Sequence, residues 1–109
     1  MHMGGLAIVG SMQPNNYIHV VFNNGAHDSV GGQPTVGLDL DFSKIALACG
    51  YHAAFSVSDS DSLEMAIEDI KRMCGPVFLE IKVKKGARAD LGRPTTSPIE
   101  NKVAFMRQF

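Results

Sequence analysis

A short run of β-forming residues ends abruptly in two asparagines and a glycine, and this transition constrains the fold more than any other segment. Residues 17–22 read Tyr-Ile-His-Val-Val-Phe, and Asn23-Asn24-Gly25 follows at once. Asn-Gly after a strand commonly closes a tight hairpin. From residue 27 to residue 38, however, no alternation of apolar and polar residues marks a returning strand. The strand therefore ends in amide oxygens and flexible backbone, at the edge where open α/β sheets bind their ligands.

The rest of the chain alternates helical and strand patterns. Helices are predicted over residues 1–9, 42–49 and 61–74 and from residue 97 to the end, and further strands at 53–57 and 77–83. The nearly all-apolar strand at 17–22 is typical of one covered on both faces. Alternation of this kind predicts an α/β fold, a parallel sheet with helices on both faces. All 109 residues form one small domain.

Capping signals mark where three of these helices begin. Asp41 is placed to cap the helix that Gly50 ends, and Asp61 to cap the next one. Ser97 and Glu100 have the spacing of a reciprocal capping box. The helix after Asp61 carries an apolar face made of Leu63, Ala66, Ile67, Ile70 and Cys74.

Composition excludes several classes of protein. A net charge of −1 leaves no basic surplus for binding nucleic acid. No apolar run approaches the length that spans a membrane, and no secretory signal opens the chain, so we expect a cytoplasmic protein without a membrane partner. Cys49 and Cys74 are isolated in sequence, and we interpret both as buried, unreactive thiols; a disulfide or a metal pair is the alternative.

The chain resembles the phosphonopyruvate decarboxylases, within the thiamine-diphosphate-dependent 2-oxoacid decarboxylases. The signature of that superfamily opens with Gly-Asp-Gly and closes with Asn-Asn at the end of a strand. Three stretches carry the resemblance: residues 23–35 (Asn-Asn-Gly-Ala-His-Asp-Ser-Val-Gly-Gly-Gln-Pro-Thr), 46–51 (Ala-Leu-Ala-Cys-Gly-Tyr), and 88–96 (Arg-Ala-Asp-Leu-Gly-Arg-Pro-Thr-Thr) with Glu100-Asn101-Lys102.

One half of that signature is absent, because the sequence contains no Gly-Asp-Gly. By the family's spacing that motif would lie just upstream of Met1, so residues 1–109 resemble the C-terminal remainder of a diphosphate-binding domain. The resemblance also implies a pyrimidine-binding domain, supplied by the rest of a longer chain or by a partner subunit, and a homo-oligomer. We expect the isolated chain to be inactive, since it lacks the aspartate that anchors the metal.

The resemblance implies a site for thiamine diphosphate and Mg²⁺ at the end of the first strand. The Asn24 side-chain oxygen and the Ala26 backbone oxygen would be metal ligands, because Mg²⁺ prefers oxygen donors. Gly25 would let the backbone turn sharply enough to aim that carbonyl inward. Contacts with the cofactor are expected from Asn23, Asn24, Gly25, Ala26, Ser29, Gly31 and Gly32, with Asn23 as a hydrogen-bonding neighbour of the metal rather than a ligand.

Two further groups are candidates for the chemistry. His27 follows the metal-binding turn and is a candidate acid–base catalyst, although structural hydrogen bonding is the alternative. Lys84, Lys85, Arg88 and Arg93 form a basic cluster in a turn-rich connection. Arg88 or Arg93 could pair with a phosphonate, or the cluster could simply be a solvated loop.

The implied reaction converts 3-phosphonopyruvate to phosphonoacetaldehyde and carbon dioxide. Two other enzymes share the first motif: sulfopyruvate decarboxylase and the thiamine-dependent 2-oxoacid oxidoreductases. An oxidoreductase needs iron–sulfur ligands, which two isolated cysteines do not supply. A non-catalytic assembly domain that kept the fold and lost the cofactor is the alternative from another class.

Overall fold

The computed structural model describes residues 3–109, so the predicted start of the first helix at Met1 and His2 lies outside the described residues. The helices are α1 (Gly4–Met12), α2 (Phe42–Ala48), α3 (Ser60–Ile70) and α4 (Pro98–Met106). The strands are β1 (Ile18–Asn23), β2 (Ala26–His27), β3 (Gln33–Pro34), β4 (Ala53–Val57) and β5 (Val77–Lys82). Two single-turn 3₁₀ helices, Asp28–Val30 and Val36–Leu38, lie in the loop after β1.

Strands β1, β5 and β4 form a parallel sheet in that order, which confirms the predicted α/β fold. The central strand β5 begins with four consecutive buried residues, Val77 to Glu80. Both neighbours are in register with it, since Leu79 lies opposite Val20 of β1 and Phe55 of β4. A strand buried on both faces needs apolar residues at nearly every position, and Val-Phe-Leu supplies them.

Helices cover the sheet on both faces, as predicted. On one face α1 and α2 enclose a cluster of Leu6, Ala46, Tyr51 and Phe78. On the other face α3 packs on β4 and β5, through a cluster of Val57, Ala66, Ile70, Val77 and Leu79. No helix among residues 3–109 is both long and apolar enough to cross a membrane.

The prediction that both faces of the first strand are covered is wrong for the described residues. Ile18, Val20 and Phe22 point to the α3 side of the sheet and are exposed, Phe22 by 69%. A helix is about 10 Å wide and strands lie about 4.8 Å apart, so one helix covers roughly two strands. Because α3 lies over β4 and β5, this face of β1 is left uncovered.

Two local predictions also need correction. The residue that caps α3 is Asp59 rather than Asp61, since Asp59 accepts hydrogen bonds from the Ser62 N–H (2.9 Å) and hydroxyl (2.7 Å).

Cys74 is exposed and Cys49 is only half-buried, so the expectation of two buried thiols is wrong, although both are free. Cys74 lies four residues beyond the end of α3 and therefore leaves the helix face to which it was assigned.

The other capping predictions are confirmed. The Asp41 side chain accepts a hydrogen bond from the Lys44 N–H. Ser97 and Glu100 form the reciprocal capping box at the start of α4. Gly50 follows α2 with a φ of +102°, a conformation that favours glycine.

Replacing Asp59 with alanine should lower the free energy of unfolding at pH 7, because α3 loses its cap. The hydrogen bonds from the Ser62 backbone and hydroxyl hold the pKa of Asp59 below its usual value. A lowered pKa in the folded state gives stability that is present above the unfolded-state pKa, about 3.9, and is lost as the pH falls through the folded-state value. The stability difference between wild type and Asp59→Ala should therefore shrink in acid.

Urea unfolding from pH 7 downward measures this difference. Asp61→Ala is the matched control, because Asp61 also lies in the first turn of α3 but is not its cap. If Asp61→Ala destabilises the protein more than Asp59→Ala does, the assignment of the cap is wrong.

Candidate functional site

The carboxyl ends of β1 and β5 meet at one edge of the sheet, where Asn23 lies opposite Lys82. The loop that leaves β1 turns back over this edge before α2 begins. A cavity of about 250 Å³ lies at this turn. Its lining comes from the end of β1, the turn and the start of α2: Val21, Phe22, Asn23, Asn24, Gly25, Ala26, His27, Thr35, Gly37 and Phe42.

The loop confirms that β1 does not continue into a hairpin, because β1 pairs with β5 alone among the described strands. It does contain a two-residue antiparallel ladder between β2 and β3, which the sequence pattern did not predict. The ladder is flanked by hydrogen bonds from the Thr35 N–H to the Gly25 carbonyl (2.8 Å) and from the Gly32 N–H to the His27 carbonyl (2.9 Å). Strands this short show no alternation in sequence, and the ladder gives the turn a defined shape.

Asn23 is buried, with 7% of its surface exposed, and its side chain is engaged on both sides. Its amide nitrogen donates to the Gly37 carbonyl (2.7 Å) and to the Glu80 carboxylate (2.6 Å). Its amide oxygen accepts from the Gly25 N–H (3.1 Å). These contacts tie the turn and the Gly37 carbonyl to the central strand β5.

Glu80 is the residue at this site that the sequence analysis missed. It lies on the central strand with 2% of its surface exposed, and its second oxygen accepts a hydrogen bond from the Ser56 hydroxyl (2.6 Å). A carboxylate inside the run Val-Phe-Leu-Glu-Ile was the available signal, because a buried charge requires dedicated hydrogen-bond donors. Asn23 and Ser56, on the two neighbouring strands, are those donors.

Asn24 is half-buried and lines the cavity. Its amide oxygen accepts from the Ala26 N–H (3.1 Å), and its amide nitrogen donates to the Asp28 carboxylate (2.9 Å). Gly25, between Asn24 and Ala26, has a φ of +65°, and a Cβ at position 25 would lie 2.7 Å from Leu38 Cδ1. The exposed Leu38 side chain can move aside, but the positive φ would strain most other residues at position 25, so the turn favours glycine.

The turn fits a magnesium ion that shares its ligands with a diphosphate. The Asn24 oxygen can accept a second interaction beyond the Ala26 N–H. Ala26 and Pro34 form a non-hydrogen-bonded antiparallel pair, next to the bond from the Thr35 N–H to the Gly25 carbonyl, so the Ala26 carbonyl points away from β3. Both are neutral oxygen donors of the kind Mg²⁺ binds. No cluster of three or more His, Cys, Asp or Glu suited to a metal occurs among residues 3–109.

The structure brings some of the predicted cofactor-binding residues together and leaves others apart. Asn24, Gly25, Ala26 and His27 line the same cavity. The lining does not include Ser29, Gly31 or Gly32. Those three residues lie in and after the first 3₁₀ helix, where Gly31 (φ +115°) and Gly32 (φ +71°) carry the chain back to β3.

The two candidate arginines lie in the exposed connection between β5 and α4. The Arg88 guanidinium is 3.4 Å from the Asp90 carboxylate, and both side chains are well exposed. Arg93 is also exposed. The connection contacts the turn region through other residues: Lys85 donates to the Gly32 carbonyl (2.6 Å) and the Gly86 N–H donates to Asp28 (2.8 Å).

The chain is similar to known proteins over most of its length. Residues 1–81 match the family described as thiamine pyrophosphate enzyme, C-terminal TPP binding domain. The chain is 38% identical to a phosphonopyruvate decarboxylase of Streptomyces viridochromogenes and 37% identical to one of Streptomyces hygroscopicus, over 92% of its own length and 25% of theirs. It is 41% identical to a sulfopyruvate decarboxylase subunit beta of Methanocaldococcus jannaschii over 46% of its length and 27% of that protein's.

Asn23→Leu should lower the free energy of unfolding by about 3 kcal/mol, because Glu80 loses a donor while buried and the Gly37 carbonyl loses its partner. Asn24→Leu is the matched control and should cost less than about 1 kcal/mol, since its partner Asp28 is exposed. Urea unfolding followed by far-UV circular dichroism measures both.

The double variant Asn23→Leu/Glu80→Leu should recover part of that loss, because it removes the uncompensated buried charge. Equal losses in the two single variants would contradict the structural role assigned to Asn23 and Glu80.

Proposed function

Because the chain belongs to the thiamine pyrophosphate enzymes, through their C-terminal TPP-binding domain, we propose that it is the magnesium- and diphosphate-binding part of a 2-oxoacid decarboxylase. Thiamine pyrophosphate is the same compound as thiamine diphosphate. The observation that carries the proposal is the turn at Asn24, Gly25 and Ala26, whose oxygen donors lie at the ligand-binding edge of a parallel sheet.

In this proposal the chain's own residues hold the metal and the diphosphate. The Asn24 amide oxygen and the Ala26 carbonyl contribute two metal ligands, and Gly25 supplies the backbone turn that separates them. Asn23 and Glu80 hold the base of the turn from inside the core. The bound cofactor supplies the electron sink for decarboxylation. His27 lies along the same cavity and is the candidate for moving a proton there.

The proposed substrate is 3-phosphonopyruvate, which would give phosphonoacetaldehyde and carbon dioxide. Two relatives named phosphonopyruvate decarboxylase, similar over 92% of this chain, support that choice. A sulfopyruvate decarboxylase subunit beta is similar over a shorter stretch, so sulfopyruvate is the second candidate substrate. Both substrates combine a 2-oxoacid with a second anionic group, which the protein must neutralise.

The chain spans about a quarter of the length of the curated relatives it matches. We propose that the pyrimidine-binding domain comes from another part of a longer protein or from a partner subunit, and that the complete enzyme is a cytoplasmic homo-oligomer. The 109-residue chain is then inactive by itself, because its two neutral ligands do not offset the charge of Mg²⁺.

Asn24→Leu in the complete enzyme should weaken the apparent affinity for Mg²⁺ and thiamine diphosphate tenfold or more, about 1.4 kcal/mol, because it removes a ligand oxygen while roughly keeping volume. Calorimetric titration of the metal with the cofactor present measures the change. Asn23→Leu should weaken binding less. Normal cofactor binding by both variants would overturn the metal assignment and favour a non-catalytic assembly domain.

Arg93→Ala should raise the KM for 3-phosphonopyruvate about ten- to a hundredfold if Arg93 pairs with the phosphonate, and Arg88→Ala tests the other candidate. The KM for pyruvate, which has no second anion, should change far less. Arg72→Ala is the control, because Arg72 follows α3 and precedes the opposite end of β5. Equal losses on both substrates would show that the connection supports folding or the cofactor instead.

A further inference from the structure

We infer that Asp28 is a positioning residue for the metal site: its carboxylate selects the orientation of the Asn24 side-chain amide that presents oxygen, rather than nitrogen, to the metal. This inference rests on the proposed function, since it assigns a role toward the ligand proposed there. It concerns a residue that neither the sequence motif nor the relatives' names assign.

The selection follows from the two contacts of the Asn24 amide. Its nitrogen lies 2.9 Å from Asp28 Oδ2, and its oxygen lies 3.1 Å from the Ala26 nitrogen. An ionised carboxylate accepts hydrogen bonds and cannot donate one, whereas an amide group has a donor and an acceptor end. Rotating the Asn24 amide by 180° would place its oxygen against the Asp28 carboxylate and its NH₂ against the Ala26 N–H. Both contacts would become repulsive.

Orientation matters because only one end of the amide can bind a cation. The NH₂ group carries no lone pair available for a metal, so a rotated Asn24 is not a ligand. Residues that hydrogen-bond a metal ligand from behind commonly fix its orientation and tune its affinity, and their loss costs roughly ten- to a hundredfold in metal binding. Asp28 is such a residue for Asn24, because it accepts a hydrogen bond from the Asn24 amide nitrogen.

Asp28 is itself held by a distant part of the chain. The same Oδ2 atom accepts a hydrogen bond from the Gly86 N–H (2.8 Å), in the connection between β5 and α4. Gly86 has a φ of +108°, which favours glycine there. Lys85 makes a second contact with the loop, through the Gly32 carbonyl. The connection therefore holds the carboxylate in place behind Asn24.

A double-mutant cycle in the complete enzyme tests the inference, with Mn²⁺ as the metal probe in the presence of thiamine diphosphate. Free Mn²⁺ is measured by electron paramagnetic resonance, so the readout does not depend on activity. Asp28→Asn should raise the Kd for Mn²⁺ about tenfold in the wild-type background, because an asparagine at position 28 can pair with either orientation of the Asn24 amide and only the Ala26 N–H then opposes rotation. Asp90→Asn, which removes the same charge from an exposed site in the connection, should leave the Kd unchanged.

The decisive comparison uses Asn24→Asp, in which both ends of the ligand group are oxygen. Adding Asp28→Asn to that variant should not raise the Kd, because a carboxylate needs no selection of orientation. A tenfold rise in both backgrounds would overturn the inference, since a purely electrostatic or structural effect of Asp28 acts on both. An unchanged Kd for Asp28→Asn in the wild-type background would overturn it as well.

The failure of the inference can be told apart from the failure of the proposed function. If the wild-type enzyme binds no Mn²⁺ with the cofactor, or if Asn24→Leu leaves binding intact, the proposed function is wrong and the inference falls with it. If Asn24→Leu weakens binding while Asp28→Asn does not, only the role of Asp28 is wrong.

Discussion

The hydrogen bond between Asn23 and Glu80 is the interaction on which the architecture of the site depends. It joins β1 to the central strand β5 inside the protein, over 2.6 Å, at the end of the sheet where the turn begins. Burying a carboxylate without donors would be costly, and charge-assisted hydrogen bonds from Asn23 and Ser56 offset that cost. Because Asn23 also binds the Gly25 N–H and the Gly37 carbonyl, its side chain links two parts of the loop to the sheet.

The two adjacent asparagines have different environments because they lie at the point where a strand ends. Asn23 is the last residue of β1 and points into the core, toward the strand beside it. Asn24 is the first residue beyond the strand and is half-buried beside Asp28. One asparagine therefore supports the turn, and the other is the proposed metal ligand.

Several apolar surfaces of the described residues are not covered by the chain itself. Ile18, Val20 and Phe22 lie exposed on one face of β1. No residue of α4 is buried, and Ile99, Val103 and Met106 are exposed along it. The chain that leaves these surfaces exposed spans a quarter of the length of its curated relatives. The site is likewise partial, since its two proposed metal ligands are neutral.

Local sequence determined the elements whose causes lie within a few residues, and tertiary structure decided the rest. The caps at Asp41 and Ser97 and the strand Ala53–Val57 were predictable, because a side chain bonding three residues ahead and an apolar run between turns are local. The Asn-Asn-Gly turn was recognisable for the same reason. The cap of α3 was not predictable in this way, because the sequence has an aspartate at both position 59 and position 61. The structure shows that Asp59 is the cap. Glu80 and Gly86 find Asn23 and Asp28 across 57 and 58 residues, and only the packing of the parallel sheet brings such distant groups together.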